Sequence, residues 1–111
     1  MAAPIPIAID GLSKTYPGAA APAVDGVSLD VGAGALTALV GGSGSGKTTL
    51  LKCVNRLVRP DRGQVLIDGR PNDATDPAAL RRGIGYVFQH IGLFPHLTVA
   101  ENIAAVPRLL D

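Results

Sequence analysis

The sequence predicts an α/β fold in which short strands surround one amphipathic helix. The first observation is an apolar run bounded by glycines, Ala35–Val40, which is typical of a buried strand. The second is a glycine-rich loop that follows this run directly. The third is a helical pattern after the loop, whose apolar side chains share one face: Leu50, Leu51, Val54, Leu57 and Val58. The order of strand, glycine loop and helix therefore places an α/β unit at the centre of the chain.

The other elements follow from the pattern of apolar and turn residues. Alternation predicts strands over Ile5–Leu12 and Val24–Val31, and a glycine turn over residues 32–34 leads into the central unit. The central helix is expected to run to about Val58, because proline disfavours helical conformation in the residue before it and Pro60 follows. The later elements are a strand over Gln64–Asp68, a loop over Pro71–Pro77, a short helix over Ala78–Arg82, a strand over Ile84–Phe88 and a helix that opens at Thr98.

Composition limits the classes of protein to consider. A chain of 111 residues holds one domain at most, and its hydrophobic content of 47% favours strands covered on both faces. The net charge of +1 gives no support for nucleic-acid binding. No apolar run approaches the roughly 18 residues of a membrane span, and the N-terminus has no pattern of a signal peptide. The single cysteine, Cys53, indicates a reducing cytoplasm and is expected to be a core thiol.

The stretch Gly41–Thr48, GGSGSGKT, matches the pattern G-x-x-x-x-G-K-[ST]. Glycines let backbone N–H groups approach phosphates closely, and the following helix directs its positive end at them. Lys47 can bridge phosphate oxygens, and the Thr48 hydroxyl can coordinate Mg²⁺. The flanking strand and helix argue against the alternative of a flexible Gly/Ser linker. The sequence therefore predicts a nucleotide-binding loop.

Three segments in order carry a resemblance to a known family: LSKTYPG, VDGVSLDVGAGALTALVGGSGSGKTTLL and IGYVFQHIGLFPHLTVAENI. With them the chain resembles the N-terminal half of an ATP-binding-cassette (ABC) ATPase. The resemblance implies a phosphate-loop NTPase fold of ABC type, with an N-terminal antiparallel β-subdomain and the first part of a parallel-sheet core. Residues 1–111 would then be the N-terminal portion of a single nucleotide-binding domain.

The resemblance also implies the ligands, ATP and Mg²⁺, and the residues that hold them. Tyr16 would stack on adenine, and Thr48 would coordinate Mg²⁺. Gln89 would be the catalytic residue that approaches Mg²⁺ and the γ-phosphate, and its loop would also contact a membrane subunit. The full set expected to bind nucleotide is Tyr16, Gly41, Gly42, Ser43, Gly44, Ser45, Gly46, Lys47, Thr48 and Thr49. Taken without the resemblance, Tyr16 fits surface packing and Gln89 a solvated strand end.

Other polar side chains are assigned structural roles. His90 and His96 are interpreted as loop or packing residues, because no cluster of cysteine, histidine and carboxylate surrounds them in the sequence. Arg81 and Arg82 are expected to lie on a solvated helix face. Glu101 completes a capping box with Thr98, which explains the one glutamate of the chain.

A more detailed resemblance, to one subgroup of the family, indicates the class of transported substrate. The segments LLKCVNRLVRPDRGQVLIDG and DPAALRRGIGYVFQHIGLFPHLTVAENI look most like the ATPases of importers for glycine betaine, choline and other quaternary amines. Importers of amino acids and polyamines share much of this pattern and remain an alternative. Membership of either group implies a membrane permease and a second ATPase subunit as partners, and a peripheral location on the cytoplasmic face of the membrane.

Hydrolysis in this family needs groups that the printed sequence does not contain. These are a Walker B carboxylate, an adjacent general-base glutamate, the Leu-Ser-Gly-Gly-Gln signature and the H-loop. Val65–Asp68 looks like a Walker B strand, but Gly69 follows it and the family places this segment in an antiparallel flap. We therefore expect a truncated ATPase that is inactive alone, with a non-hydrolysing nucleotide-binding module and a small phosphate-loop kinase as the alternatives.

The resemblance has a consequence for stability as well. In the family fold, the strands that would lie between Ala35–Val40 and Ile84–Phe88 come later in sequence than these 111 residues. Both segments would then present apolar edges without partners, and such edges invite aggregation. We expect the isolated chain to be marginally folded.

Overall fold

A computed structural model describes residues 3–42, 44–87 and 96–102 of the chain. Its elements, in chain order, are strand β1 (Ile7–Lys14), strand β2 (Val24–Val31), helix α1 (Lys47–Val54), strand β3 (Arg62–Ile67), strand β4 (Arg70–Pro71) and helix α2 (Pro77–Arg82). Residues 99–102 are also helical.

The four strands form one antiparallel sheet in the order β2-β1-β3-β4. Strand β1 is central, and its Ile9 faces Leu29 on one side and Val65 on the other. The sheet confirms the expected antiparallel subdomain. It also places Val65–Ile67 in an antiparallel strand that turns at Asp68, as the family resemblance implied for this Walker B-like run.

Helix α1 packs Leu50 and Cys53 against this sheet. Leu51 and Leu57, predicted to lie on the same apolar face, are instead 49% and 48% exposed. The buried apolar side chains of the described residues are Ile9, Leu12, Val24, Leu50, Cys53 and Val65. Cys53 has no exposed surface, which confirms the prediction of a core thiol, and burial raises the pKa of its thiol above the ordinary value. The core thus joins the helix that follows the glycine loop to strands β1, β2 and β3.

Several boundaries differ from the sequence prediction. Strand β2 was predicted with its observed ends, whereas β1 lies two residues later than predicted and β3 begins two residues earlier. Strand β4 was not predicted, since Pro71 begins a predicted loop and Arg70 directly precedes it. In the structure Arg70 pairs with Ile67 of β3, and Pro71 pairs with Leu66. The predicted short helix is confirmed as α2, which starts one residue earlier because Asp76 caps it and Pro77 occupies the first turn.

Helix α1 ends at Val54, four residues before the predicted end near Val58. Arg56 adopts a left-handed conformation with φ of 62°, and the N–H groups of Leu57 and Val58 both donate to the carbonyl of Lys52. A left-handed residue ends a right-handed helix, and its Cβ makes this conformation costly. Pro60 is therefore not what stops the helix.

The prediction of two strands for a parallel core, Ala35–Val40 and Ile84–Phe88, is wrong for the described residues of both segments. Residues 35–42 form no strand and pair with none of the four described strands, and residues 84–87 are likewise irregular. Leu36, Val40 and Val87 are 100%, 94% and 96% exposed. An apolar run becomes a buried strand only when neighbours pair its backbone and cover both of its faces, and the described part of the chain supplies neither.

Candidate functional site

The glycine loop changes direction through two left-handed glycines and then becomes helix α1. Gly44 and Gly46 have φ of 81° and 93°. A Cβ on Gly46 would collide with the carbonyl oxygen of Ala23, so glycine is required there by packing as well as by conformation. No side chain caps the helix at Gly46. The first-turn N–H groups of α1 are therefore open to an anion.

Lys47, the first residue of α1, folds its side chain back over the loop. Its ammonium donates to the carbonyl oxygens of Gly41 and Gly42, the latter at 2.9 Å, and lies 3.4 Å from the Ser45 hydroxyl. These acceptors are neutral, whereas phosphate oxygens are charged and form stronger hydrogen bonds with an ammonium. The loop thus holds the Lys47 ammonium at its centre, where phosphate oxygens can replace the two carbonyls as its hydrogen-bond acceptors.

A cleft of about 510 Å³ opens above this loop and is lined by Ala23 and residues 44–49. Thr48 is exposed, and Thr49 is buried. The exposed Thr48 hydroxyl can serve as one ligand of Mg²⁺, which keeps several waters and takes few protein ligands when it binds with phosphates. Among the described residues there is no cluster of three or more histidines, cysteines and carboxylates. Thr48 thus places an exposed hydroxyl on the cleft, where it could contribute one ligand to a bound Mg²⁺.

Tyr16 lies beside this cleft, on the loop that follows β1. The residue is 39% exposed, and its hydroxyl shares a 3.1 Å hydrogen bond with the hydroxyl of Thr49. The ammonium of Lys14 lies 5.7 Å from the ring centre, within the range of a cation–π contact. Tyr16, predicted from sequence as a base-stacking residue, is thus joined directly to the helix that begins at the phosphate loop.

Asp61 has no functional role predicted from the sequence, yet its side chain holds the start of the Tyr16 loop. Its carboxylate accepts the N–H of Thr15 at 2.7 Å and lies 3.5 Å from the ammonium of Lys14. The Thr15 hydrogen bond, with Lys14 contributing, lowers the pKa of this carboxyl below its ordinary value. No sequence signal could have found the contact, because 46 residues separate Thr15 from Asp61.

The C-terminal end of α1 is closed by two side chains from later in the chain. The amide of Asn72 donates to the carbonyls of Cys53 and Val54, both at 2.9 Å. Arg81 donates to the carbonyls of Asn55 and Arg56, at 3.0 and 2.6 Å. Arg81 is exposed, as predicted, but its guanidinium also has a structural role that was not predicted, since the final carbonyls of a helix attract a cation. Arg82 is exposed, as predicted.

The capping box predicted at the last described helix is confirmed. Thr98 N–H donates to the Glu101 carboxylate at 2.9 Å, and Glu101 N–H donates to the Thr98 hydroxyl at 3.2 Å. The same Thr98 contacts lower the pKa of Glu101. His96 lies in a turn, in keeping with its assignment to a loop. Ser43, Gln89 and His90 lie outside the described residues, so their expected roles remain predictions.

A helix that opens on a left-handed glycine, with a lysine at its first position and a cleft above it, defines the phosphate-loop class of nucleotide-binding folds. Residues 24–109 match the family model described as ABC transporter, and the chain belongs to that family. A solved structure of a bacterial Atm1-family ABC exporter with ATP bound aligns with 92% of this chain and 18% of its own, at 32% identity and a TM-score of 0.82. The fold is thus that of part of an ABC ATPase domain.

Curated relatives in the same family are similar over most of the chain. The choline transport ATP-binding protein OpuBA of Bacillus subtilis is 47% identical over 94% of it, and the osmoprotectant import ATP-binding protein OsmV of Salmonella typhimurium is 48% identical over 94%. The sulfate/thiosulfate import ATP-binding protein CysA of Thermosynechococcus vestitus is 47% identical over 88%. The chain spans only 27–28% of the length of these three relatives.

Proposed function

We propose that this chain binds Mg²⁺-ATP in the cleft above residues 44–49, as part of the ATP-binding subunit of an ABC importer. The observation that carries the proposal is the geometry of the loop, with Gly46 left-handed at the start of α1 and Lys47 held over it. The backbone N–H groups would bind the phosphates, Lys47 would bridge their oxygens, and Thr48 would take one position on Mg²⁺. Tyr16, beside Thr49, would stack on the base.

A binding titration with a matched pair of lysine variants tests this. We expect Lys47→Ala to weaken Mg²⁺-ATP binding by at least about tenfold, because one charge-assisted hydrogen bond contributes roughly 1.5–3 kcal/mol. Lys52→Ala removes the same charge from the last turn of the same helix and should leave the affinity within about twofold. Equal losses in the two variants would contradict a specific role for Lys47.

We further propose that hydrolysis requires groups beyond these 111 residues. Glu101 is the one glutamate of the chain, and its carboxylate accepts the N–H of Thr98 in a capping box. An assay of phosphate release from the isolated chain should therefore give no turnover above background. Turnover that Lys47→Ala abolishes would show that another residue of the chain supplies the missing chemistry.

The transported solute is proposed to be a quaternary amine, on the strength of relatives named for choline and osmoprotectant import. Relatives named for sulfate and methionine import match at similar identity and keep other solutes as the second candidate. Disruption of the gene should abolish uptake of labelled choline or glycine betaine by the source cells and spare uptake of labelled sulfate and methionine. The reverse result would transfer the proposal to the second candidate.

A membrane permease and a second ATPase subunit are the proposed partners, which would place the protein at the cytoplasmic face of the membrane. None of the helices in the described residues is long and apolar enough to cross a membrane. Val87 and Val99, which precede and follow Gln89 in the sequence, are 96% and 77% exposed and would face the permease. Because Cys53 is buried and is the one cysteine, Val99→Cys gives a unique accessible thiol for cross-linking to a permease in native membranes.

A further inference from the structure

The loop that carries Tyr16 is held at its base and at its tyrosine. Ala23 N–H donates to the carbonyl of Lys14 at 2.8 Å and so closes the base of the loop. At the other side, the Tyr16 hydroxyl bonds to Thr49. Between these points residues 15–22 are exposed and form no strand or helix, so the position of the ring depends on the few polar contacts around it.

Asp61 contacts the chain on the N-terminal side of Tyr16. Its backbone N–H donates to the carbonyl of Ser13 at 2.8 Å, and its carboxylate accepts the N–H of Thr15 at 2.7 Å. The same carboxylate lies 3.5 Å from the ammonium of Lys14, which in turn lies over the ring of Tyr16. Asp61 therefore touches each of the three residues that precede Tyr16 along the chain.

Asp61 is itself fixed to the sheet. It directly precedes β3, and Gly63 lies so close to β1 that a Cβ there would collide with the carbonyl oxygens of Asp10 and Gly11. This close approach holds the start of β3 against β1. A carboxylate on such a rigid neighbour restricts the backbone at Thr15, since a hydrogen bond to a charged acceptor is stronger than a neutral one.

We infer that Asp61 is a positioning residue for Tyr16, the aromatic residue that would bind the base. It holds Thr15 and Lys14 in place, and these residues orient the Tyr16 ring beside the phosphate loop. The inference rests on the proposed function, since it assigns to Asp61 a part in binding the nucleoside end of the ligand. Asp61 touches no phosphate-loop residue in the described contacts, so its effect should be confined to ligands that carry a base.

The test compares Mg²⁺-ATP with Mg²⁺-tripolyphosphate, which has the phosphates without the base, in calorimetric titrations. Asp61→Ala should weaken ATP binding by at least about fivefold, the lower end of what base–aromatic stacking contributes. It should leave tripolyphosphate binding within about twofold. Asp61→Asn keeps an oxygen acceptor for the Thr15 N–H and should restore most of the ATP affinity. Asp73→Ala, which removes an exposed aspartate elsewhere, is the matched control.

A double-mutant cycle identifies the route of the effect. In a Tyr16→Ala background, Asp61→Ala should cause no further loss of ATP affinity, because the residue that it positions is gone. Additive losses, or equal losses for ATP and tripolyphosphate, would overturn the inference. If Lys47→Ala weakens the binding of both ligands and Asp61→Ala weakens the binding of ATP alone, both proposals are supported. If Lys47→Ala changes neither ligand, the proposed function fails independently of Asp61.

Amide hydrogen exchange tests the contact without any substitution. In the unaltered chain, the Thr15 N–H should exchange at least about tenfold more slowly than the exposed amides of Gly18 and Ala20 in the same loop, because the Asp61 carboxylate holds it. Exchange of Thr15 as fast as these neighbours would overturn the inference even if Asp61→Ala did not fold.

Discussion

At Gly46 the backbone conformation and the packing both exclude a side chain. Its φ of 93° is left-handed, and a Cβ would collide with the carbonyl oxygen of Ala23. The contact also links the end of the Tyr16 loop to the start of α1. The glycine that a phosphate requires for close approach is thus required by the protein as well.

We expect Gly46→Ala to lower the free energy of unfolding by about 2 kcal/mol or more, since a non-glycine residue in this region costs roughly 1–3 kcal/mol before any collision is counted. Gly42→Ala is the control in the same loop, because a Cβ there would meet open space. Urea denaturation followed by circular dichroism should show a lower midpoint for Gly46→Ala alone. Equal midpoints would show that the Ala23 contact moves away at little cost.

Asp61 also predicts a dependence on acid. Its pKa is lowered chiefly by the Thr15 N–H, with Lys14 and Arg62 as the charged neighbours that assist. The stabilisation is therefore fully present above the ordinary aspartate pKa of about 3.9 and is lost as pH falls below it. Urea midpoints at pH 7 and pH 3 should differ less for Asp61→Asn than for the parent chain. An equal acid-induced loss would assign the effect to other carboxyls, such as Glu101.

At the scale of elements, helix α1 is set by groups at its two ends. Its first turn opens on the glycine loop, and its last carbonyls accept hydrogen bonds from Asn72 and Arg81. Arg81 belongs to α2, which leads into residues 84–87. The polar contacts at the end of α1 therefore connect the phosphate-loop helix to the segment that precedes Gln89.

We expect Asn72→Ala to loosen the end of α1, because the carbonyls of Cys53 and Val54 each lose a side-chain donor. The opening free energy measured by hydrogen exchange at the amides of Leu57 and Val58, which bond to Lys52, should fall by about 1–3 kcal/mol. Asp73→Ala, the neighbouring exposed residue, should leave these amides unchanged. Unchanged exchange in Asn72→Ala would mean that Arg81 alone holds the helix end.

At the scale of the whole molecule, the described core is small and several large apolar side chains lie outside it. Six apolar side chains are buried in the described residues, whereas Leu36, Val40 and Val87 are almost fully exposed. Apolar surface without a covering layer promotes association between molecules. The expectation of exposed apolar segments holds, although the segments are irregular and not strands.

We therefore expect the isolated 111-residue chain to aggregate when it is concentrated or heated, so that its thermal melt lacks a sharp cooperative transition. The binding and urea measurements therefore use dilute protein that light scattering shows to be monomeric. Changing Leu36, Val40 and Val87 together to lysine should raise the monomeric fraction in light scattering, because none of the three belongs to the core. Changing the buried Leu12 to lysine should lower it. A cooperative melt of monomeric parent chain would contradict this prediction.

The sequence by itself determined the elements whose signals are local. The glycine pattern fixed the loop and the start of α1, alternation fixed β2, and the spacing of Thr98 and Glu101 fixed the capping box. The motifs of the family gave the class of fold, since they record contacts that the whole family shares. These features need only residues that are neighbours in the chain.

Tertiary structure alone decided where distant residues meet. The Asp61–Thr15, Tyr16–Thr49 and Arg81–Asn55 contacts join residues 46, 33 and 26 positions apart, and no local pattern reports them. Tertiary structure also decided that Ala35–Val40 is not a strand in the described residues. A strand is defined by hydrogen bonds to its neighbours, so its apolar sequence is necessary for burial but does not supply the partner that burial requires.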